Sequence, residues 1–360
     1  MILKALQLYN FKNFPQRTFS FARGINAITG NNGVGKTNIL DAINLLAFGK
    51  SYMHLPLSMI IRHGETEFSV KGIFETADGA EETVLFQYRK GERRILKRNG
   101  KVYERLSEHI GFIPVVMISP YDRDLITETG EVRRKFIDKI ISQFDKNYLS
   151  HLTGYYKFLS QRNSLLKYFA FNNTFDADTL EVIDEKMDAL AGKIYEKRRE
   201  FIDRFRPFLK EKYRWLSEGK EDVDVRYRSD LEEKPLRTWL KESLSRDSLL
   251  QHTTKGIHRD DLIFLINGYP IKKFGSQGQQ KSYLIALKLS EFEILKENQQ
   301  RLPVLLFDDI FDKLDAGRVK QIVRLVETGT FGQIFLTDTH PERLKELLKD
   351  TPQENKIIHL

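Results

Sequence analysis

GNNGVGKT, running from Gly30 to Thr37, decides the fold. It satisfies G-x-x-x-x-G-K-[ST] at every fixed position, and its surroundings suit that pattern: INAIT ahead reads as a strand, NILDAINLLAF behind as a helix. Ile39, Leu40, Ile43 and Leu46 recur at helical spacing along one side of that helix. Glycines in such a loop let successive backbone N–H groups converge on an anion at a helix N-terminus. Residues Gly30, Asn31, Asn32, Gly33, Val34, Gly35, Lys36, Thr37 and Asn38 are therefore the expected cradle for a nucleotide triphosphate. Lys36 is placed to reach the β- and γ-phosphates, and the Thr37 hydroxyl to hold Mg²⁺.

A phosphate loop of this kind needs an acidic partner to fix the metal, and PVLLFDDIFDKLD supplies one roughly 270 residues further on. Val304 to Phe307 read as a buried strand with Asp308 at its end, where a carboxylate holds the metal together with Thr37. Asp309 follows at once and is the expected general base for an attacking water. Paired aspartates at a strand end also serve turns and helix caps, but the phosphate loop already calls for a partner.

Outward from these two motifs the chain divides into three. Short strand-like stretches (ILKALQL, FPQRTFSFA, FSVKGIFE, EETVLFQYR) surround the loop. Long charged amphipathic runs such as LEVIDEKMDALAGKIYEKRREFIDRFRPFLKEKYRWL then predict helices. Short strands return after His252, ending in the wholly apolar PVLLF and QIFLT, which suit a parallel sheet covered on both faces. The expected architecture is an α/β head of mixed β-rich and parallel-sheet character, built from residues 1–120 and 251–360. A mainly helical lobe, 121–250, is inserted between them.

The 360 residues include no cysteine, which rules out a disulfide framework and a thiolate zinc site. No apolar run approaches the ~20 residues of a membrane span, and the start MILKALQLYNFKNF lacks a signal-peptide core, so a cytoplasmic protein is expected. A formal charge of +8 leans towards polyanionic partners.

FGSQGQQKSYLIALKLSE, Phe274 to Glu291, is a polar turn opening a long helix. The gap between phosphate loop and acidic strand is far too long for a compact nucleotide kinase. The order phosphate loop, insertion, Ser-Gln-Gly helix, acidic strand resembles the ATP-binding-cassette heads of the SMC and RecF group. The resemblance narrows to the bacterial RecF family on SQGQQ with IALKLSE, DD followed by LDAGR, GIHRDDL at Gly256–Leu262, SPYDRDLITETGEVRRKFID at Ser119–Asp138, and the opening LYNFKNF.

That resemblance implies a weak, DNA-stimulated ATPase of DNA replication and repair that uses ATP and Mg²⁺ and forms an ATP-dependent head-to-head homodimer. It would bind DNA at single-strand/double-strand junctions and work with RecR- and RecO-type proteins in loading recombinase at gaps. It places Ser276, Gln277 and Gly278 at the signature, where the serine of one subunit meets the γ-phosphate held by the other. It places Asp315 at the D-loop, and the cassette ATPases place a γ-phosphate-sensing histidine at His340. The loop near Ser119 shows no glutamine for the metal.

Two stretches carry competing readings. His258, Asp260 and Asp261 suggest either a metal cluster or a structural hydrogen-bond network. The hairpin RKGERRILKRNGK, with Glu92 its lone acid, offers Arg93, Arg94, Lys97 and Arg98 to DNA phosphates, or uses their charge to protect a sheet edge. The rival functions are a transporter-type nucleotide-binding subunit, whose acidic strand would usually end Asp-Glu, and an ATP-switched scaffold with negligible turnover.

Overall fold

The computed structural model describes residues 1–299, 301–309, 331–349 and 354–360. The chain divides into two compact units, one formed by Met1–Asp122 with Leu287–Leu360 and the other by Arg123–Ala286.

The first unit holds two sheets. Strands β1 (Ile2–Phe11), β2 (Phe14–Ser20), β4 (Glu67–Glu75), β5 (Glu81–Arg89), β6 (Ile95–Arg98) and β7 (Lys101–Val102) form an antiparallel sheet in the order β2-β1-β4-β5-β6-β7. Along β4, Phe68, Val70, Gly72 and Phe74 are buried and the residues between them half-buried, the period-2 pattern of a sheet packed on one face. Strands β3 (Ile25–Thr29), β8 (Val115–Ile118), β12 (Val304–Phe307), β13 (Ile334–Asp338) and β14 (Lys356–His359) form a parallel sheet in the order β14-β3-β13-β12-β8. Every residue of β3, β8, β12 and β13 is buried, as suits strands covered on both faces, including the polar Asn26, Thr29, Thr337 and Asp338.

Helix α1 (Lys36–Phe48) joins one core with residues of both sheets: Phe68, Val70 and Phe86 from the first, Val115, Met117, Leu306 and Phe335 from the second. The sequence predicts one apolar side; Ala42, Leu45 and Ala47 are fully buried as well, because both sheets contribute to the core around the helix. The helix approaches β4 closely at Gly72, where a Cβ would stand 2.7 Å from Leu46 Cδ1. Truncating a fully buried leucine such as Leu46 costs about 2–5 kcal/mol. The short helix α2 (Leu106–His109) completes this part of the unit.

The second unit begins with α3 (Asp124–Thr127) and α4 (Gly130–Phe144). Its longest elements are α5 (Lys146–Asn172) and α6 (Ala177–Leu216), each capped by an aspartate: Asp145 accepts from the Tyr148 amide and Asp176 from that of Thr179. Strand β9 (Val223–Arg228), helices α7 (Leu236–Glu242) and α8 (Leu244–Leu250), strands β10 (Asp261–Ile266) and β11 (Tyr269–Pro270), and α9 (Ile271–Phe274) follow. Helical periodicity missed β9. The six-residue VDVRYR pairs antiparallel with β10, from Asp261↔Arg228 to Ile266↔Val223, and that distant partner leaves no local signal. Helix α10 (Gln277–Asn298) starts in this unit and passes into the first after Ala286. Among the described residues no helix is long and apolar enough to cross a membrane.

Candidate nucleotide site

The phosphate loop turns on glycines in backbone regions closed to most residues: Gly33 has φ +83° and Gly35 φ +111°. A Cβ on Gly35 would also meet the Asn13 side-chain amide at 2.7 Å and the Phe14 ring at 2.8 Å. Asn13, in the turn between β1 and β2, holds the loop from outside. Its Nδ2 donates to the Val34 carbonyl at 2.8 Å, and its Oδ1 accepts from Asn38 Nδ2 at 2.8 Å. Lys36 is buried, and its Nζ donates to the carbonyls of Gly30 (2.8 Å) and Asn31 (3.0 Å).

Parallel pairing brings the end of β12 beside this loop. Thr37 Oγ1 donates to Asp308 Oδ1 at 2.9 Å across 271 residues of sequence. Thr337, from β13, donates to the same oxygen at 2.9 Å. Burial pushes the Asp308 carboxyl up from its ordinary value, against the opposing pull of the Thr37 and Thr337 hydroxyls. A threonine hydroxyl and a carboxylate side by side are hard oxygen ligands of the kind Mg²⁺ takes with water completing its shell, so these residues fit the ion. Asp309 has φ +48°, a left-handed conformation that aspartate tolerates better than most side chains, and its amide donates to Thr337 Oγ1 at 2.9 Å.

The Ser276 turn belongs to the second unit. Ser276 Oγ accepts from the Gln279 amide at 3.2 Å, and Gln279 Oε1 accepts from the Ser276 amide at 2.7 Å. This reciprocal pair is a capping box at the start of α10. Gln279 Nε2 also donates to Glu221 at 2.7 Å, fixing the turn, while Ser276 and Gln277 stay exposed and Gly278 half-buried. A serine hydroxyl on an exposed helix N-terminus is suited to an anion.

Three turns along α10, within the first unit, Lys288 is buried between Asp122 and Glu291, each 3.2 Å away. Burial alone would lower its pKa; the two carboxylates and Tyr52 outweigh that and hold it well above its usual value. The Tyr52 hydroxyl donates to Asp122, and its amide donates to Asp41 on α1 at 2.6 Å. A continuous polar chain thus joins the phosphate-loop helix to α10.

His340 follows β13 with a largely exposed ring. Its amide donates to Asp338 at 2.8 Å, and Arg343 pairs with the same carboxylate at 3.2 Å. Asp315 lies outside the described residues. In the basic hairpin, Arg98 forms a bidentate pair with Glu82 and stacks on Phe112, with 3.9 Å from guanidinium to ring centroid, and Arg94 donates to the Gly49 carbonyl at 3.1 Å.

Among the described residues no group of acidic or histidine side chains converges as a metal cluster. His258 lies between the Tyr155 hydroxyl (2.8 Å) and the Thr253 carbonyl (3.1 Å), and burial lowers its pKa to about 4. Asp260 meets Arg198 at 2.7 Å and also accepts from Tyr227; burial raises its carboxyl to about 6. Asp261 forms a bidentate pair with Arg133. The motif is a hydrogen-bond network.

Sequence reasoning missed Asn13, Thr337 and Lys288. Asn13 stood in the quoted LYNFKNF, where a polar residue at a hairpin corner was the available signal. Thr337 stood in QIFLT, a stretch read as apolar although it begins with Gln333 and ends with this threonine. For Lys288 the local signal was Glu291 one turn on, but its other partner, Asp122, is remote in sequence.

Fold and site together define an ATP-binding-cassette type ATPase head. The family model described as RecF/RecN/SMC N terminal domain matches residues 2–351. The "DNA replication and repair protein RecF" of Flavobacterium johnsoniae is 51% identical over 360 residues, covering 100% of both chains. That of Bacteroides thetaiotaomicron is 44% identical over 362 residues, covering 100% of this chain and 97% of its own. The chain belongs to the RecF family. A solved structure of the recombination mediator protein RecF with ATP, in the RecFOR pathway, superposes with a TM-score of 0.88 at 34% identity, covering 94% of this chain and 92% of that one. An Smc head bound to the C-winged helix domain of ScpA has TM-score 0.59 at 17% identity, covers 100% of this chain and 94% of that one, and shares the fold.

Proposed function

We propose that this chain is a DNA-binding ATPase of recombinational repair that closes head to head on ATP and, with RecR- and RecO-type partners, promotes recombinase loading at gapped DNA. The observation that carries the reading is the 2.9 Å contact between Thr37 and Asp308, which brings the phosphate-loop helix and the acidic strand end together. The ATP complex of a RecF 34% identical to this chain supports the ligand. The functional head is residues 1–120 and 251–360, with 121–250 the inserted lobe.

In this mechanism the backbone N–H groups of Gly30–Asn38 and the Lys36 ammonium hold the β- and γ-phosphates, Lys36 exchanging two loop carbonyls for phosphate oxygens. Mg²⁺ bound between Thr37 and Asp308 would neutralise phosphate charge. Asp309 accepts the proton of the water that attacks the γ-phosphorus; the bond from that phosphorus to the bridging oxygen breaks, and ADP and phosphate leave. Ser276 and Gly278 of a second copy cap the γ-phosphate, and His340 lines the same seam. The open face of Ser276, with its cap already formed, supports a contact made by another molecule.

Ser276→Arg tests the shared site. It should bind ATP through the intact phosphate loop, remain a monomer by light scattering, and lose turnover. Turnover at the wild-type rate would reduce Ser276 to a helix cap and remove the head-to-head mechanism. DNA-stimulated hydrolysis in the wild type separates this reading from a transporter subunit, and ATP-dependent dimerisation without hydrolysis would leave only a scaffold.

A further inference from the structure

The second unit carries a cavity of about 490 Å³ that the nucleotide chemistry does not use, within the range of pockets that hold small ligands. It is lined by Arg228 from the end of β9, Arg246 from α8, and Lys255 and Arg259 from the segment leading to β10. Arg259 is the outward member of GIHRDDL. Around it, Ile257 is buried with its carbonyl on Arg198 (2.8 Å), His258 is held by Tyr155 and Thr253, Asp260 by Arg198, and Asp261 by Arg133. The network therefore fixes a turn whose one uncommitted side chain is the Arg259 guanidinium. Among the described residues neither Arg259 nor Arg246 has a carboxylate partner, and Arg228 is only loosely paired, 3.8 Å from Asp261.

Two of the three carboxylates on the cavity wall are hydrogen-bonded to other wall residues. Asp230 accepts from Lys255 at 2.9 Å and from the Gly256 amide at 3.3 Å, and Glu232 closes a capping box on the Ser229 amide at 3.2 Å. Asp230 thus offsets Lys255, which leaves three guanidiniums facing one space against Glu232 and Glu233. Leu250, 44% exposed, adds an apolar wall. Guanidiniums recognise phosphate through paired N–H donors. A monoester, with three terminal oxygens and about two charges, engages three of them better than a strand diester with two oxygens and one charge.

We propose that this cavity binds the phosphate monoester of a nucleotide, supplied either by a free mononucleotide or by the phosphorylated end of a DNA strand. The strand-end source rests on the DNA-binding function proposed above; the pocket itself does not.

The test uses the full chain carrying Lys36→Met, so that the phosphate loop does not compete. Anisotropy titrations compare short single strands with a 5′-phosphate, a 3′-phosphate or hydroxyls at both ends, and calorimetry measures deoxyadenosine monophosphate. A strand-end ligand should bind about tenfold tighter with a terminal phosphate, and Arg246→Gln with Arg259→Gln should erase that preference while leaving the hydroxyl-ended strand unchanged. Monophosphate binding that the same pair abolishes supports the free-nucleotide source, and does so even if no strand binds at all, an outcome that would sink the DNA function alone. Should the pair lower the melting temperature, Arg246→Gln by itself, on a separate helix, gives the same readout at smaller amplitude. Equal loss for phosphate-ended and hydroxyl-ended strands, or no phosphate-dependent binding of any probe, overturns the proposal.

Discussion

Two buried constellations of charge, one in each unit, are built on opposite principles. Arg198 in the second unit has no side-chain exposure and is saturated: its three nitrogens donate to both oxygens of Asp138, to Asp260, to the Tyr148 hydroxyl and to the Ile257 carbonyl, between 2.7 and 3.1 Å. Lys36 in the first unit is also buried, yet among the described residues it holds only two neutral carbonyls of its own loop, and Asp308 takes two hydroxyls on one oxygen. A guanidinium bound to two carboxylates cannot release them cheaply. An ammonium on neutral carbonyls can exchange them for phosphate oxygens, and a carboxylate on hydroxyls can accept a cation. Burial of charge does not mark a reactive site; partners that can be exchanged do.

The largest effect should come from breaking the saturated cluster. Arg198→Met leaves Asp138 and Asp260 buried without their cation, and removing one member of a buried pair typically costs about 3–5 kcal/mol. Urea unfolding should show it as a lower midpoint with ATP affinity unchanged in whatever remains folded. A stability within about 1 kcal/mol of wild type would mean that the cluster tolerates loss of its centre, and the contrast with Lys36 would fail.

Lys36→Met should do the reverse. Removing the charge opposite the β- and γ-phosphates should weaken ATP by about 100-fold or more, while the melting temperature moves little because only two hydrogen bonds within a loop are lost. Titration with a fluorescent ATP analogue, paired with a thermal melt, reads both halves. Wild-type affinity would take the phosphate loop out of the function.

How far each constellation was legible in sequence follows from the same physics. The phosphate loop is contiguous, so GNNGVGKT carries its whole pattern, and β3, β12 and β13 are legible as mostly apolar runs because a parallel sheet is buried on both faces, while β8, VVMI, went unread. The Arg198 cluster gathers residues from α4, α5, α6, β9 and the segment before β10, and an arginine between charged neighbours on a long helix looks the same whether it faces water or a pair of aspartates. Strand β9 was hidden for a related reason: its partner lies beyond two helices. The turn at Ser276 was readable as a cap and, through family resemblance, as a signature; its capping box is present, and the signature role stands as the proposal above.

His258 sharpens the contrast through pH. Its folded pKa of about 4 lies below the ordinary 6.5, so the unfolded chain binds the extra proton between those values and the neutral buried ring favours folding at higher pH. As pH falls through that window the wild type loses this contribution. Asp260 works in the opposite sense: raised from 3.8 to about 6, it favours folding at lower pH. Comparing His258→Gln with wild type cancels the Asp260 part. The stability gap between them should be widest near pH 7 and shrink by up to about 1.4 kcal/mol per pH unit towards pH 4. A gap independent of pH would mean that the ring is not held neutral.

The smallest effect is expected at the basic hairpin, where the comparison can be made within one hairpin. Arg98 resembles Arg198, with a bidentate carboxylate partner and a ring beneath it, whereas Arg93 and Lys97 show no bonded carboxylate among the described residues. If exchangeable partners mark function, Arg93→Gln with Lys97→Gln should reduce the slope of log affinity for DNA against log salt by about 0.7–0.9 for each DNA phosphate no longer neutralised, with little change in stability. Arg98→Gln should instead cost stability of roughly 1 kcal/mol, given its half-exposed pair, and leave the slope alone. Filter binding across a salt series, alongside urea melts, measures both. A slope that changes for Arg98 and not for Arg93 and Lys97 would show that a committed guanidinium still reaches DNA, and the rule drawn from the two buried constellations would not extend to the surface.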